Sequence, residues 1–328
     1  METPERMPET PSSFFSEAER MESRNERRSI PRTITPLSMP ALDGSGILRF
    51  PFKQTELSAL VRGALDEDGA FNDVTTIATV ISERRARATL VARDAGVIAG
   101  VPLALECFRL LDPKVSIRVE SEDSSAVGEG APVLFITGHA RALLSGERVA
   151  LNYMQRLSGI ASFTRRFVDA VKGTKARILD TRKTTPGWRK LEKYAVRAGG
   201  GMNHRMDLSS EVLIKDNHLA AVDGDVTLAV RRVRELAPPG AKVEVECDRL
   251  DQVEDALAAG ADIILLDNMP LDLMRECVRV VHKRAILEAS GGVRLDTVRG
   301  IAETGVDWIS SGALTHSAPA MNLALDFE

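Results

Sequence analysis

Residues 243–270, VEVECDRLDQVEDALAAGADIILLDNMP, decide the fold of the second half of the chain. Two short apolar runs, at residues 243–245 and 262–266, flank a segment at residues 250–259 whose apolar residues have helical spacing. A strand, a helix and a second strand in this order predict two parallel strands that are joined by a crossover helix.

The same alternation continues from about residue 177 almost to the end of the chain. Four further apolar runs occur at residues 177–180, 212–214, 285–287 and 307–309. Helical segments separate most of the runs, at residues 226–236, 271–282 and 296–304. Because no dinucleotide-binding glycine fingerprint accompanies these strands, the α/β pattern predicts a barrel-like sheet rather than a doubly wound one.

The first half of the chain mixes helices and strands without this alternation. Helices are predicted at residues 54–65, 101–111 and 143–164, and strands at residues 87–91, 96–99, 114–119 and 133–138. Residues 73–76, DVTT, predict a turn and the start of a strand. Residues 1–45 are rich in Pro, Ser, Glu and Arg and have no apolar periodicity, which predicts a disordered tail.

The overall composition excludes several classes of partner. The 328 residues carry a net charge of −4, and only 4% of them are aromatic. Both values argue against binding to nucleic acid or to a membrane surface. The three cysteines, Cys107, Cys247 and Cys277, are scattered and odd in number, which predicts reduced core thiols in a cytoplasmic protein.

Polar side chains follow each of the six predicted barrel strands, and active sites of such barrels lie at this end of the strands. One group of these side chains is cationic and comprises Arg182, Lys183, His204, Arg205 and Lys215. Cations gathered at a low-dielectric mouth predict a ligand with more than one carboxylate or phosphate.

Other basic and glycine-rich features between the first two barrel strands receive a plainer interpretation. Arg189, Lys190 and Lys193 have helical spacing and predict a solvated helix face. The glycines at residues 199–201 predict a flexible loop beside the cationic group. Elsewhere, the isolated His139, His282 and His316 are each interpreted as structural.

Two acidic residues, Glu246 and Asp267, end adjacent predicted strands and should face the same cavity. Such a pair can hold Mg²⁺ together with ligand phosphates, or stabilise positive charge that develops on a sugar. The plainer alternative is that both carboxylates are ion-pair partners of the cationic group. Glu244 shares a strand face with Glu246, and the sequence leaves its role open.

The last two predicted strands are each followed by a short loop of small residues. The two loops consist of Ser290, Gly291 and Gly292, and of Ser311, Gly312 and Ala313. Glycine allows the backbone to approach a ligand closely, and phosphate sites in these barrels commonly use the loops after the last two strands. These loops are therefore predicted to bind phosphate.

Several motifs resemble the quinolinate phosphoribosyltransferase family. The longest is LDTRKTTPGWRKLEKYAVRAGGGMNHR at residues 179–205. Shorter motifs are LIKDNH, VEVEC, ILLDNM, LEASGG and SSGALTHSA, at residues 213–218, 243–247, 264–269, 287–292 and 310–318. The resemblance covers roughly residues 52–327, nearly everything except the tail.

The resemblance implies a homodimer in which each subunit has an N-terminal α/β sandwich and an open, incomplete TIM-like barrel of seven parallel strands. The sandwich is expected at residues 46–155 and 316–328, and the barrel at residues 156–315. The implied reaction joins quinolinate to phosphoribosyl pyrophosphate with Mg²⁺ and releases pyrophosphate and CO₂. Its product is nicotinate mononucleotide, a precursor of NAD. Whether dimers assemble into hexamers is left open.

The resemblance also implies roles for individual residues. Quinolinate would be held by Thr181, Arg182, His204, Arg205 and Lys215, and by Arg148 of the partner subunit. Lys183 would lie between the acid and the pyrophosphate. Glu246 and Asp267 would hold the ribose hydroxyls and Mg²⁺, as catalytic residues together with Lys183. The 5′-phosphate would be bound by the two small-residue loops, Ser290, Gly291, Gly292, Ser311, Gly312 and Ala313.

Three positions depart from the family pattern, and two other functions compete. Asp207, Ser210 and Asn322 stand where a Gly and two Asp residues are common. The first competing function is that of a fold relative that acts on another pyridine acid such as nicotinate, or a homologue associated with molybdenum transport. The second is that of a non-catalytic protein that binds a pyridine acid or phosphate. Neither calls for as many cations together with two carboxylates as this sequence contains.

Overall fold

A computed structural model describes residues 48–209, 211–237 and 240–328 of the chain. The predicted tail, residues 1–45, lies outside these residues. Within them, none of the helices combines the length and the apolar character that crossing a bilayer requires.

The described chain begins with two helices that pack on the N-terminal domain. The helix α1, Gln54–Glu67, buries one apolar face, and a short 3₁₀ turn, Ala70–Asn72, follows it. The predicted strand start at residues 73–76 is wrong, because Val74–Thr79 form a second helix, α2. The Asp73 side chain accepts a hydrogen bond from the Thr76 backbone N–H at 3.0 Å, and this N-cap outweighs the strand preference of the β-branched residues.

An antiparallel sheet forms the body of the N-terminal domain. Its strands are β1 (Arg85–Ala92), β3 (Ser116–Val119), β5 (Pro132–His139) and β12 (Leu323–Phe327). Their order is β12-β1-β5-β3, so the last strand of the chain returns to pair with the first. A two-stranded sheet, β2 (Gly96–Val97) and β4 (Ala126–Val127), and the helix α3, Val101–Leu111, complete this half.

The helix α4, Ala140–Ala170, is 31 residues long and extends beyond the predicted residues 143–164 at both ends. It buries a continuous face along its length and packs against α3 on one side and against the barrel helices on the other. One helix therefore passes from the N-terminal sheet into the barrel and fixes the two halves to each other.

The second half is the predicted sheet of parallel strands. The strands are β6 (Arg177–Leu179), β7 (Val212–Ile214), β8 (Val243–Cys247), β9 (Ile263–Asp267), β10 (Ile286–Ser290) and β11 (Trp308–Ser310). The helices are α5 (Arg189–Ala198), α6 (Asp216–Ala220), α7 (Val226–Leu236), α8 (Leu250–Ala258), α9 (Leu271–Val281), α10 (Val298–Ala302) and α11 (Ala313–His316). All six predicted strands, and with them the predicted fold class, are confirmed.

The sheet order is β6-β11-β10-β9-β8-β7, so the first two strands of the barrel in sequence, β6 and β7, lie at opposite edges. A single parallel bridge joins Leu179 to Met202, outside the named strands. Met202 therefore stands where a seventh strand would extend the β6 edge, and one bridge in place of a ladder explains why the sequence shows only six apolar runs. The barrel is left open between Met202 and β7.

Gly159 is expected to be intolerant of any side chain. It lies in α4, and a Cβ there would lie 2.9 Å from Ala320 Cα and 3.0 Å from the Met321 backbone nitrogen. We expect Gly159→Ala to lower the free energy of unfolding by roughly 1–3 kcal/mol in denaturant titrations, because the C-terminal segment must move away. Gly63 in α1 has nothing within 4 Å of its Cβ position, so Gly63→Ala should raise that free energy by about 0.5–1 kcal/mol. Equal effects of the two substitutions would contradict this packing.

Candidate active site

The carboxyl ends of the barrel strands open into one cavity of about 980 Å³. Every site residue predicted within one chain lines it: Thr181, Arg182, Lys183, His204, Arg205, Lys215, Glu246, Asp267, Ser290, Gly291, Gly292, Ser311, Gly312 and Ala313. Arg148 is the exception, because it is an exposed residue of α4 and does not line the cavity.

Parallel pairing explains why residues so distant in sequence meet here. Asp267 and Ser290 are the last residues of β9 and β10 and pair with each other in register. Ser310 ends β11, and its hydroxyl donates to Ser290 Oγ at 3.0 Å. Glu246 lies one residue before the end of β8. Strand ends alone therefore bring carboxylates and hydroxyls from four strands to one wall of the cavity.

The acidic wall is already in contact with the cationic group. Lys215 Nζ forms an ion pair with Glu246 Oε2, in which the lysine side chain is 43% exposed and the carboxylate 13%. Asp267 accepts a hydrogen bond from Asn268 Nδ2 at 2.9 Å through Oδ2. Both carboxylates remain at the cavity surface, where a ligand can compete for them.

Two arginines on the opposite side carry excess positive charge. Arg205 is buried, and burial together with the nearby Arg182 charge lowers its pKa from the usual value. Arg182 Nε is buried without a hydrogen-bond partner among the described residues, although both residues line the cavity. An unpaired buried donor beside a second guanidinium predicts an anionic ligand with at least one carboxylate or phosphate.

His204 lies between these cations and the barrel interior. Its Nε2 is 3.2 Å from Glu244 Oε2 and 3.6 Å from Glu288 Oε1, and both glutamates are buried. Burial opposes the imidazolium, but the charges of Glu288 and Glu244 outweigh it and raise the pKa of His204 to about 9. The open question about Glu244 is thus resolved, since it partners the His204 ring.

Glu288 was not recognised from the sequence, although it directly follows the apolar run at residues 285–287, because the strand β10 continues through it to Ser290. Burial, and then the nearby Glu244, raise its pKa to about 7. Neither of its carboxylate oxygens has a hydrogen-bond partner in the described chain. The buried glutamates therefore favour the protonated, charged form of the His204 ring.

Charging the His204 ring also has a local cost. The Arg205 backbone N–H donates to His204 Nδ1 at 2.7 Å, a bond that only the ring protonated at Nε2 alone can accept. Protonation of Nδ1 therefore breaks the hydrogen bond from the Arg205 backbone, and the attraction of the imidazolium to Glu244 and Glu288 must offset this loss. The state of His204 is therefore coupled to the backbone that carries Arg205.

The two small-residue loops are shaped by close approach to other site residues. Gly291 has φ +85°, and a Cβ there would lie 2.6 Å from Asn268 Nδ2. A Cβ on Gly312 would lie 2.8 Å from Lys183 Cδ. Any larger residue at either position would displace a side chain that faces the cavity.

The helix α5 corrects two predictions. Lys193 is not on a solvated face but is 1% exposed and forms an ion pair with the buried Asp180, whereas Lys190 is exposed as predicted. Arg189 is partly buried and donates to Thr184 Oγ1 at 3.0 Å, bracing the loop after β6. The reason is that α5 packs between α4 and the cavity, so both of its faces are in use.

The glycines at residues 199–201 do not form the predicted flexible loop. A Cβ on Gly201 would lie 2.8 Å from Val196 Cγ1 and 2.9 Å from Thr164 Cγ2, and Gly199 is similarly confined by Ala161. These glycines are needed because the chain turns tightly against α4 and α5. His316 is also corrected, since it lines the cavity.

The departures from the family pattern have local explanations. Asp207 Oδ1 accepts from the Ser209 backbone N–H at 2.9 Å and from its hydroxyl at 2.7 Å, so it closes a short turn after Arg205. The Asn322 backbone N–H donates to Asp94 Oδ2 at 3.2 Å, away from the cavity. Ser210 lies outside the described residues.

Further polar residues that follow predicted strands or loops also line the cavity. Asp216, Asn217 and Asn268 directly follow predicted strands, and Arg294 follows the Gly291–Gly292 loop. All four line the cavity. Polar residues just beyond a strand end are therefore as informative as those at the end itself.

Comparisons with known proteins agree with this site. Family models match two parts of the chain: the quinolinate phosphoribosyl transferase N-terminal domain at residues 73–158 and the C-terminal domain at residues 160–326. The chain is 46% identical over 274 residues to nicotinate-nucleotide pyrophosphorylase (carboxylating) of Mycobacterium leprae, covering 81% of this chain and 95% of that protein. It is 41% identical over 295 residues to the chloroplastic enzyme of the same name from Oryza sativa subsp. japonica, covering 83% and 78%.

A solved structure is similar over the same region. The nicotinate-nucleotide pyrophosphorylase of Ehrlichia chaffeensis superposes with a TM-score of 0.80 at 40% identity. The match covers 85% of this chain and 100% of that one. The match therefore spans both the N-terminal sheet and the barrel.

We expect His204 to titrate near pH 9, and Glu288→Gln to lower its pKa by roughly one unit or more toward 6.5. Because the pKa in the folded state is the higher one, this charge stabilises the fold fully below pH 6.5, and the contribution is lost as the pH rises through about 9. NMR titration of labelled histidine rings measures the pKa directly. Glu303→Gln, at an exposed carboxylate paired with Arg299, is the control and should leave the titration unchanged. An unchanged His204 titration in Glu288→Gln would contradict this assignment.

Proposed function

The chain belongs to the quinolinate phosphoribosyltransferase family, and we infer that it transfers the phosphoribosyl group of phosphoribosyl pyrophosphate to quinolinate. The reaction releases pyrophosphate and CO₂ and forms nicotinate mononucleotide, a step in NAD biosynthesis. The observation that carries this function is the composition of the cavity at the strand ends. Cations that include the unpaired, buried Arg182 donor line this cavity together with two carboxylates and the two small-residue loops.

We assign the cationic side to quinolinate. Quinolinate has two adjacent carboxylates, and Arg182, Arg205 and Lys215 all face the same space, with the imidazolium of His204 beside them. Thr181 lies next to them and accepts from the Lys183 backbone N–H at 3.0 Å. A single carboxylate, as in nicotinate, would leave much of this positive charge unmatched. The dicarboxylate is therefore favoured over the competing pyridine acid.

Lys215 links the two sides of the cavity. Its ammonium group is paired with Glu246. We propose that a quinolinate carboxylate takes over Lys215 and frees Glu246 for the ribose hydroxyls. Binding of the acid would then prepare the sugar site, without movement of the barrel strands.

The acidic side fits a bound Mg²⁺. Magnesium binds through one or two carboxylates and completes its octahedron with water and substrate phosphates. Glu246 and Asp267 are two partly exposed carboxylates on neighbouring strands at the cavity wall. We propose that they hold Mg²⁺ and the ribose, and Mg²⁺ would neutralise the pyrophosphate charge.

The reaction breaks the bond from the anomeric carbon to the pyrophosphate oxygen as the quinolinate ring nitrogen bonds to that carbon. Positive charge that develops on the sugar is stabilised by the carboxylates of Glu246 and Asp267. Lys183 follows the β6 strand end, and we place it between the acid and the leaving pyrophosphate. The loops of residues 290–292 and 311–313 would hold the 5′-phosphate. The carboxylate beside the ring nitrogen would then leave as CO₂, its electron pair would stay on the ring carbon, and that carbon would take up a proton, for which we propose Lys183 as the donor.

A homodimer is proposed because Arg148 is outside the cavity of its own chain. Just before Arg148 on α4, the Arg141 guanidinium donates to the Ile77 carbonyl of α2 at 3.1 Å. On α2 and just after it, Val74 and Ile81 are 72% and 69% exposed. Exposed apolar side chains of this kind mark protein–protein contact sites, and most soluble oligomers are symmetric, so we propose a dimer that brings Arg148 to the partner's cavity.

Cellular location is proposed as cytoplasmic. Cys107, Cys247 and Cys277 are free and buried. Reduced thiols of this kind are typical of a reducing compartment.

The reaction is tested by assaying purified protein with phosphoribosyl pyrophosphate, Mg²⁺ and either quinolinate or nicotinate. We expect stoichiometric release of CO₂ and pyrophosphate with quinolinate alone. Turnover with nicotinate would move the function to another pyridine acid, and no turnover with either acid would favour a binding protein.

The assignment of Arg148 to the partner's site is tested by subunit complementation. Arg148→Ala and Lys215→Ala should each be inactive alone, because each lacks one quinolinate ligand in every site. A mixed dimer contains one complete site, so we expect about half of the wild-type activity per mixed dimer. Absence of recovery in isolated mixed dimers would overturn the assignment.

A further inference from the structure

We propose that Asp180 and Lys193 are positioning residues that clamp the backbone of the quinolinate-binding segment, residues 203–205. Neither residue lines the cavity, and Lys193 belongs to a helix that the sequence predicts to be solvated. The inference rests on the proposed function, since it concerns how the acid site is held in shape.

Asp180 and Lys193 form hydrogen bonds with the backbone N–H and the carbonyl oxygen of His204. Asp180 Oδ1 accepts from the His204 backbone N–H at 2.9 Å and from Lys193 Nζ. Lys193 Nζ also donates to the His204 carbonyl oxygen at 2.8 Å. One ion pair thus satisfies both polar backbone groups of a residue that faces the ligand.

The neighbouring asparagine extends the clamp. Asn203 Nδ2 donates to Asp180 Oδ2 at 2.5 Å and to the Lys193 carbonyl oxygen at 2.8 Å. Segment 203–205 is therefore tied to β6 through Asp180 and to α5 through Lys193, with Asn203 joining the two.

The position in the fold explains why such a clamp is needed. Residues 203–205 have no secondary structure and follow Met202, whose single bridge to β6 is all that remains of a seventh strand. Elsewhere in the barrel, ladder hydrogen bonds orient the site residues. At this open edge, hydrogen bonds from side chains orient the backbone in place of ladder hydrogen bonds.

The burial of Asp180 and Lys193 favours a positioning role for this ion pair over a stabilising one. Asp180 is fully buried and Lys193 is 1% exposed. A buried ion pair must repay a large desolvation cost, and an apolar pair of similar volume often stabilises a fold as well or better. The retained charges are explained by their three hydrogen bonds to the segment that carries His204 and Arg205.

The clamp also counteracts the repulsion between the two arginine side chains that line the cavity. Arg205 is buried close to Arg182, so their like charges repel in the absence of ligand. A displacement of a binding group by about 1 Å can cost about 100-fold in rate. Holding the Arg205 backbone against this repulsion keeps the dicarboxylate site formed before ligand arrives.

The test uses the double variant Asp180→Asn/Lys193→Met, which keeps the volume and leaves no uncompensated buried charge. We expect the KM for quinolinate to rise roughly 10–100-fold, and the KM for phosphoribosyl pyrophosphate to change less than about twofold, because the strand-end carboxylates and loops are not clamped. Lys190→Met, at an exposed lysine of the same helix, is the matched control and should change neither constant.

Calorimetric titration of quinolinate, together with thermal unfolding, separates the outcomes. A folded double variant whose quinolinate affinity stays within about twofold of wild type would overturn the proposal. If the double variant does not fold, Asn203→Ala decides, because it removes only the joining amide: the proposal requires weaker quinolinate binding and fails if affinity is unchanged. Absence of quinolinate binding by the wild-type protein would count against the proposed function and not against the clamp.

Discussion

The strands β6 to β11 pair in parallel, and this pairing puts all six carboxyl ends at the same edge of the sheet. Asp267 and Ser290 meet there because they are register partners, and Glu246 reaches the same wall from the next strand. No single loop carries the site. A shift of one residue in any strand would turn its functional side chain away from the cavity, so the chemistry depends on register.

Charge balance is the second constraint, and positive charge at the cavity surface is left without compensation by the protein. Inside the barrel, Glu244 and Glu288 compensate the His204 ring. At the surface, Arg182 has a buried donor without a partner and Arg205 lies beside it. In the proposed function, the two carboxylates of quinolinate supply the negative charge that Arg182 and Arg205 lack.

The open edge of the barrel requires a different kind of support. Where a seventh strand would run, only Met202 pairs with β6, and residues 203–205, which we propose to bind quinolinate, follow directly. The buried pair of Asp180 and Lys193 holds that segment through its backbone. An irregular loop thereby becomes rigid without ladder hydrogen bonds, which leaves the His204 and Arg205 side chains free to face the ligand.

Much of this protein can be predicted from local patterns. Apolar runs locate all six barrel strands, and the polar residues at their ends locate the cavity, because period and position along a strand are properties of the sequence itself. The short helix after Asp73 was missed, because one capping hydrogen bond reversed the preference of β-branched residues. Local propensity is weak enough for a single contact to overturn it.

Only the tertiary structure decided the contacts between segments that are distant in the sequence. Helical spacing places Lys193 beside the exposed Lys190, yet α5 packs on two sides and buries Lys193 against Asp180. The apolar run at residues 285–287 predicts only a buried strand, yet Glu288 directly after it lies 3.6 Å from the His204 ring. The sequence by itself determined the six barrel strands and the polar residues that follow them. Burial and charge pairing were decided by packing, because they depend on partners that no local period encodes.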